Sequence, residues 1–225
     1  MASCLHVGVT GRRHIVPSAV PAIERATQSI LRTLNESDAE CVVVSTGLAV
    51  GADSIVARVL LDLREREPNF RLRLRALLPM SLDDYEDDFN KNELRELHSI
   101  LAQCDDVTAL RPVRSKDGRL DRVAQYAALR DRLVEESEVL LAYWSGDASV
   151  VKKGSTVDVV LSKLREFMNG RSGAIISVAT PELLRIRTPD GGKKYVPEKL
   201  DVPGRVSLST FGSAERILPR FTLRW

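Results

Sequence analysis

The chain has 225 residues, 44% of them hydrophobic, enough to bury one core, whereas dividing it would leave two marginal halves. With 33 Lys and Arg against 31 Asp and Glu, the net charge of +2 excludes a general basic footprint for nucleic acid, so any anion must be bound locally. Cys4, Cys41 and Cys104 are odd in number and lack CxxC spacing. That argues against a disulfide framework and a zinc site and favours a reducing cytoplasm, and no apolar run reaches membrane-spanning length or reads as a signal peptide.

In chain order, short apolar runs at 5–9, 41–45, 72–78, 107–110, 139–144 and 174–178 read as strands apolar on both faces, as a sheet covered by helices on both sides requires. Segments of helical period separate them. Ile55, Val56, Val59, Leu60 and Leu63 form one stripe, and Val157, Val160, Leu161, Leu164, Phe167 and Met168 another, both read as core. This alternation predicts an α/β fold, a Rossmann-like three-layer sandwich with a parallel central sheet. Residues 184–187 and 193–196, around Thr188-Pro189-Asp190-Gly191-Gly192, read as a terminal hairpin, so the chain divides into a ligand-binding domain over 1–180 and an extension over 181–225. From 197 onward no period is firm, and the apolar Leu208, Phe211, Phe221 and Trp225 suggest a subunit contact and hence a homo-oligomer.

In open parallel sheets, ligands bind beyond the carboxyl ends of the strands, which directs attention to four junctions. The first, Gly8-Val9-Thr10-Gly11-Arg12-Arg13, offers small residues beside two guanidiniums that can pair with phosphate. It has neither GxGxxG nor P-loop spacing, and a tight turn with surface arginines explains it equally well. In the second, Gly47 and Gly51 allow a turn that opens a helix, and Asp53 either caps that helix or faces the ligand. The third, Leu78-Pro79-Met80, leads into an acidic run with Tyr85 and Asp88, where most carboxylates read as a solvated helix start. The fourth runs from Tyr143 through Lys152-Lys153 to Gly154, Ser155 and Thr156 at a helix N-terminus, which reads as a phosphate cradle or as a simple N-cap. Thr10, Gly11, Arg12 and Arg13 are thus expected to form one wall, Gly47, Gly51 and Asp53 the floor, and Gly154, Ser155 and Thr156 the cradle. Tyr85, Asp88 and Tyr143 are expected as neighbours. His6, His14 and His98 are isolated, no GxSxG elbow occurs, and no metal site, cofactor or catalytic triad is expected.

Taken in order, Gly8 to Arg13, Thr46-Gly47-Leu48-Ala49-Val50-Gly51-Ala52-Asp53, Leu78-Pro79 with Tyr85 and Asp88-Phe89, and Gly154-Ser155-Thr156 before Val157-Asp158 resemble the SLOG superfamily, nearest to its GVTGHR and TGLAEGAD domains of bacterial signalling and predicted defence proteins. The superfamily includes LOG phosphoribohydrolases, the DNA-processing protein DprA and sensors of nucleotide-derived signals. The resemblance covers roughly residues 5–178 and implies a Rossmannoid fold with one pocket for a nucleotide or a nucleotide-derived signal, such as an ADP-ribose, NAD-derived or cyclic nucleotide ligand. LOG enzymes cleave an N-glycosidic bond with the Glu of a PGGxGTxxE segment. Here the corresponding Lys152-Lys153-Gly154-Ser155-Thr156-Val157-Asp158 lacks the first glycine and the Glu. A sensor, working alone or with an effector protein, is therefore expected ahead of a phosphoribohydrolase, with a DprA-like nucleic-acid-binding protein as the third and least expected reading.

Overall fold

The protein is described by a computed structural model covering residues 4–187, 193–198, 200 and 202–211. All six strand-like runs form strands: β1 (Cys4–Gly11), β2 (Cys41–Thr46), β3 (Arg73–Leu78), β4 (Asp106–Ala109), β5 (Val139–Trp144) and β6 (Gly173–Ala179). They join in parallel, and β9 (Val206–Phe211) adds an antiparallel edge, giving the order β4-β3-β2-β1-β5-β6-β9. The order reverses direction between β1 and β5, which is the switch point where such sheets open a crevice. Among the described residues the α-helices are α1 (Val20–Asn35), α2 (Ala52–Arg66), α3 (Leu82–Glu86), α4 (Lys91–Leu101), α5 (Arg122–Glu136) and α6 (Thr156–Met168).

Helices cover both faces, and β5 records this in its alternation. Val139, Leu141 and Tyr143 enter the core shared with α1 and α2, while Leu140 and Ala142 enter the core under α5 and α6. The α2 stripe is buried as expected. In α6 the stripe is narrower than the sequence suggests, because Met168 is 84% exposed at the fraying end and fully buried Lys163 takes a core position. The Lys163 ammonium reaches the carbonyls of Val134 at 2.8 Å and of Ser137, so it holds the C-terminal end of α5, and burial pushes its pKa down to about 8.

Three further expectations need correction. β4 is not apolar on both faces: it is the edge strand beside β3, and its Val107 is half exposed. The cysteines are not all free: Cys4 and Cys41 open β1 and β2, stand opposite each other in register with Cα atoms 4.6 Å apart, and are disulfide-bonded. Their separation of 37 residues carries no motif; strand register brings them together. Finally, part of the tail is core structure. Leu208 packs on the main core and Phe211 stacks on Phe167 at 4.6 Å, while Phe221 and Trp225 lie outside the described residues. The expected hairpin forms from β7 (Leu183–Arg187) and β8 (Lys193–Pro197), its 188–192 turn also lying outside them. Among the described residues, no helix is long and apolar enough to cross a membrane.

Candidate ligand cleft

A cleft of about 550 Å³ opens at the carboxyl end of the sheet beside β1, walled by α5 and the start of α6. Thr10, Gly11, Arg12, Arg13, Gly47, Asp53, Tyr85, Gly154, Ser155 and Thr156 all line it, so the first, second and fourth junctions meet there along with Tyr85 from the third. Gly51, Asp88 and Tyr143 do not line it. Tyr143 has the parity of the opposite face, where its buried hydroxyl meets Thr27 at 2.9 Å. Asp88 stands one layer behind the wall, bonded to the hydroxyl of Tyr126 and to Arg122 at 2.7 Å.

The glycines do a different job from the one their pattern suggests. A Cβ on Gly51 would fall 2.3 Å from the Arg12 carbonyl oxygen, and one on Gly11 would fall 2.3 Å from the Ala52 Cβ. The Ala52 amide donates to the Arg12 carbonyl at 3.0 Å. These glycines therefore lock the loop after β1 onto the start of α2, fixing Arg12 and Arg13 at the cleft, and the space they clear is filled by protein. At α6, Gly154 sits at a φ of 76° against Tyr126, and its amide donates to Asp158 at 2.7 Å. That donor is consequently turned away from an incoming anion. Ser155 is the N-cap, accepting from the Asp158 amide at 3.4 Å, and the amides of Thr156 and Val157 precede the first intrahelical bond.

Asp53 is not the cap of α2, a position that Gly51 holds. It is 7% exposed on the cleft floor. Burial pushes its pKa up to about 6, opposed by Thr46, by the backbone of Ala49 and Gly47, and by the nearby charge of Arg13. Tyr85 lies fully buried beside it and donates to the Gly47 carbonyl at 3.0 Å, pinning the loop after β2.

The α5 side of the cleft escaped the sequence reading. Tyr126 and Arg130 line it, and with Arg122 they recur every fourth residue on one helix face, a signal that was available. The Tyr126 hydroxyl takes a bond from Arg13 at 3.1 Å and gives one to Asp88, and burial, followed by the Asp88 bond, pushes its pKa up to about 12. Arg130 pairs with Asp158 at 2.6 Å. Leu129 and Leu133 from α5 and Val157 and Val159 from α6 supply an apolar wall, and Lys152 and His14 also line the cleft. From the C-terminal extension come Glu182 and Glu198, which also had no sequence signal.

Fold and cleft together define a Rossmann-like α/β protein with a mixed apolar and charged crevice at the switch point of its sheet. Among solved structures, the chain is similar to the molybdenum cofactor binding protein of the phototrophic bacterium Rippkaea orientalis, with 15% identity over 74% of each chain and a TM-score of 0.41. It is also similar to DNA processing protein A of Helicobacter pylori, which binds single-stranded DNA, with 20% identity, 61% of this chain and 52% of that one covered, and a TM-score of 0.37. The chain thus spans about half the length of the latter. No protein family and no curated protein matches the sequence.

Proposed function

We propose that this chain is a SLOG-like sensor that binds a nucleotide or nucleotide-derived anion in the cleft beside β1 and does not turn it over. One observation carries the choice of binding over turnover: Asp158, the carboxylate nearest in sequence to the LOG glutamate position, is 10% exposed and already held by Arg130 and the Gly154 amide. A carboxylate so engaged is poorly placed to stabilise an oxocarbenium-like state or to activate water. Recognition groups remain: Arg12, Arg13 and Lys152 for phosphate, the first turn of α6, and an apolar wall that suits a base. A nucleotide-derived ligand such as ADP-ribose, an NAD-derived compound or a cyclic nucleotide combines these features. A role in bacterial signalling or defence, through a homo-oligomer or a separate effector, would follow from such sensing.

A thermal-shift screen over ADP-ribose, cyclic ADP-ribose, NAD, cyclic oligonucleotides, AMP and a short single-stranded DNA tests the reading. A ligand at 100 times its dissociation constant adds about 2.7 kcal/mol to stability. At least one nucleotide is expected to raise the melting temperature while AMP, IMP, CMP and NAD release no free base or nicotinamide. Base release that disappears in Asp158→Asn would establish the phosphoribohydrolase instead, and a response to the DNA alone would make the cleft part of a nucleic-acid surface.

A further inference from the structure

Arg12 ties the cleft to the segment after β6. Its Nη1 lies 3.0 Å from the Glu182 carboxylate and its Nη2 lies 3.4 Å from the Ser145 hydroxyl, while its Nε is buried with no hydrogen-bond partner among the described residues. A guanidinium offers a planar fork of donors suited to two oxygens of one anion, and a single carboxylate oxygen with a distant hydroxyl leaves that fork under-used. An unsatisfied buried N–H is costly, so a ligand that brought two oxygens to Nε and Nη would gain what Glu182 does not supply.

Glu182 also stands at the root of the β7–β8 hairpin. Its neighbours tie the extension to the loop after β1, through Val16 N–H to the Pro181 carbonyl at 3.1 Å and Leu183 N–H to the His14 carbonyl at 2.7 Å. The Glu198 amide donates to the Glu182 carbonyl at 2.9 Å, and the Glu182 amide donates to the Glu198 carboxylate at 3.1 Å. Two carboxylates therefore enter the cleft from the same hairpin root, one of them on the arginine fork.

We propose that Glu182 is a built-in occupant of the Arg12 anion site, which a phosphate-bearing ligand must displace, so that binding in the cleft loosens the root of the β7–β8 hairpin. This rests on the reading of the cleft as an anion site and adds how that site is regulated and where its signal leaves. A ligand phosphate takes the fork, Glu182 loses its counter-charge beside Glu198, and the repulsion between the two carboxylates opens the link to His14 and Val16. The hairpin thereby becomes the element whose position reports occupancy.

The test compares wild type with Glu182→Gln, which keeps a neutral hydrogen-bonding group of the same size. Calorimetry with ADP-ribose and with inorganic pyrophosphate is expected to give about tenfold tighter binding by the variant, because the competitor is no longer charged. Hydrogen exchange in wild type is expected to rise with ADP-ribose in peptides carrying the Leu183 and Glu198 amides. A purely structural pair would predict equal or weaker binding by the variant and unchanged or slower exchange, and either result overturns the proposal. If neither protein binds any of the screened nucleotides or pyrophosphate, the cleft reading fails and the displacement role falls with it; binding with unchanged affinity removes only the role of Glu182.

Discussion

Asp158 Oδ2 stands 2.6 Å from Arg130 Nη1 and accepts the Gly154 amide through the same oxygen, so one carboxylate joins α5, α6 and the loop between β5 and α6. Both side chains are largely buried, at 17% and 10% exposure. Removing one partner of such a pair strands the other charge. Arg130→Met is therefore expected to cost about 3 kcal/mol of stability, and the double variant Arg130→Met with Asp158→Asn to recover most of that loss. Urea denaturation of Arg130→Met, Asp158→Asn and the double variant would show it, and strictly additive losses would contradict the coupling.

Arg12 holds Glu182 at 3.0 Å while its buried Nε has no hydrogen-bond partner among the described residues. Arg12→Ala is expected to weaken whichever nucleotide emerges from the thermal-shift screen by about 1.5 to 3 kcal/mol, the value of a charge-assisted bond to phosphate. Calorimetric affinities decide it. Equal affinity in the variant would remove Arg12 from the site.

Gly51 and Gly118 separate the two reasons for which a glycine is needed. Both have positive φ, 97° and 82°, but a Cβ at Gly51 would strike the Arg12 and Arg13 carbonyls whereas one at Gly118 meets nothing within 4 Å. The ψ of Gly51, −123°, also places it in a region nearly closed to other residues. Gly118→Ala is expected to cost about 1 to 2 kcal/mol for its backbone alone. Gly51→Ala should cost at least 3 kcal/mol and displace the arginine loop, lowering nucleotide affinity as well. Equal stability losses in thermal denaturation would show that the loop yields.

The strands were legible because parallel strands buried on both faces appear as unbroken apolar runs, and the cleft was legible because the ends of those runs carry glycines and arginines. The same burial hid which face each residue takes. Tyr143 ends an apolar run with no polar alternation to mark its parity, and it proved to face Thr27 and not the cleft. Register and docking left no local trace either. Cys4 meets Cys41 through strand pairing, and Glu182 reaches Arg12 only because the hairpin root bridges to Ile15. Tyr126 and Arg130 could have been found from their spacing with Arg122, but only knowledge that α5 descends into β5 at the switch point gives that stripe a meaning.

Asp53 makes the cleft sensitive to acidity. Burial raises its pKa from 3.8 in the unfolded chain to about 6 in the folded one, so the folded protein holds the extra proton between those values. Stability from this group is complete below the lower value and is lost as pH rises through the upper one, a change of about 3 kcal/mol for a shift of that size. The ionisable groups beside it in the cleft are Arg13 from the loop after β1 and Tyr85 from α3, neither of which changes charge in this window. Asp53→Asn is accordingly expected to flatten the stability profile between pH 4 and pH 7 measured by urea denaturation. The same ionisation places a negative charge on the cleft floor. Because the pyrophosphate of ADP-ribose keeps its charge throughout this range, its affinity for wild type is expected to fall as pH rises from 5 to 7, while Asp53→Asn binds it with little change. A wild-type affinity independent of pH, together with a stability profile unaltered by Asp53→Asn, would show that Asp53 titrates as an ordinary solvated carboxylate and does not set the charge of the cleft.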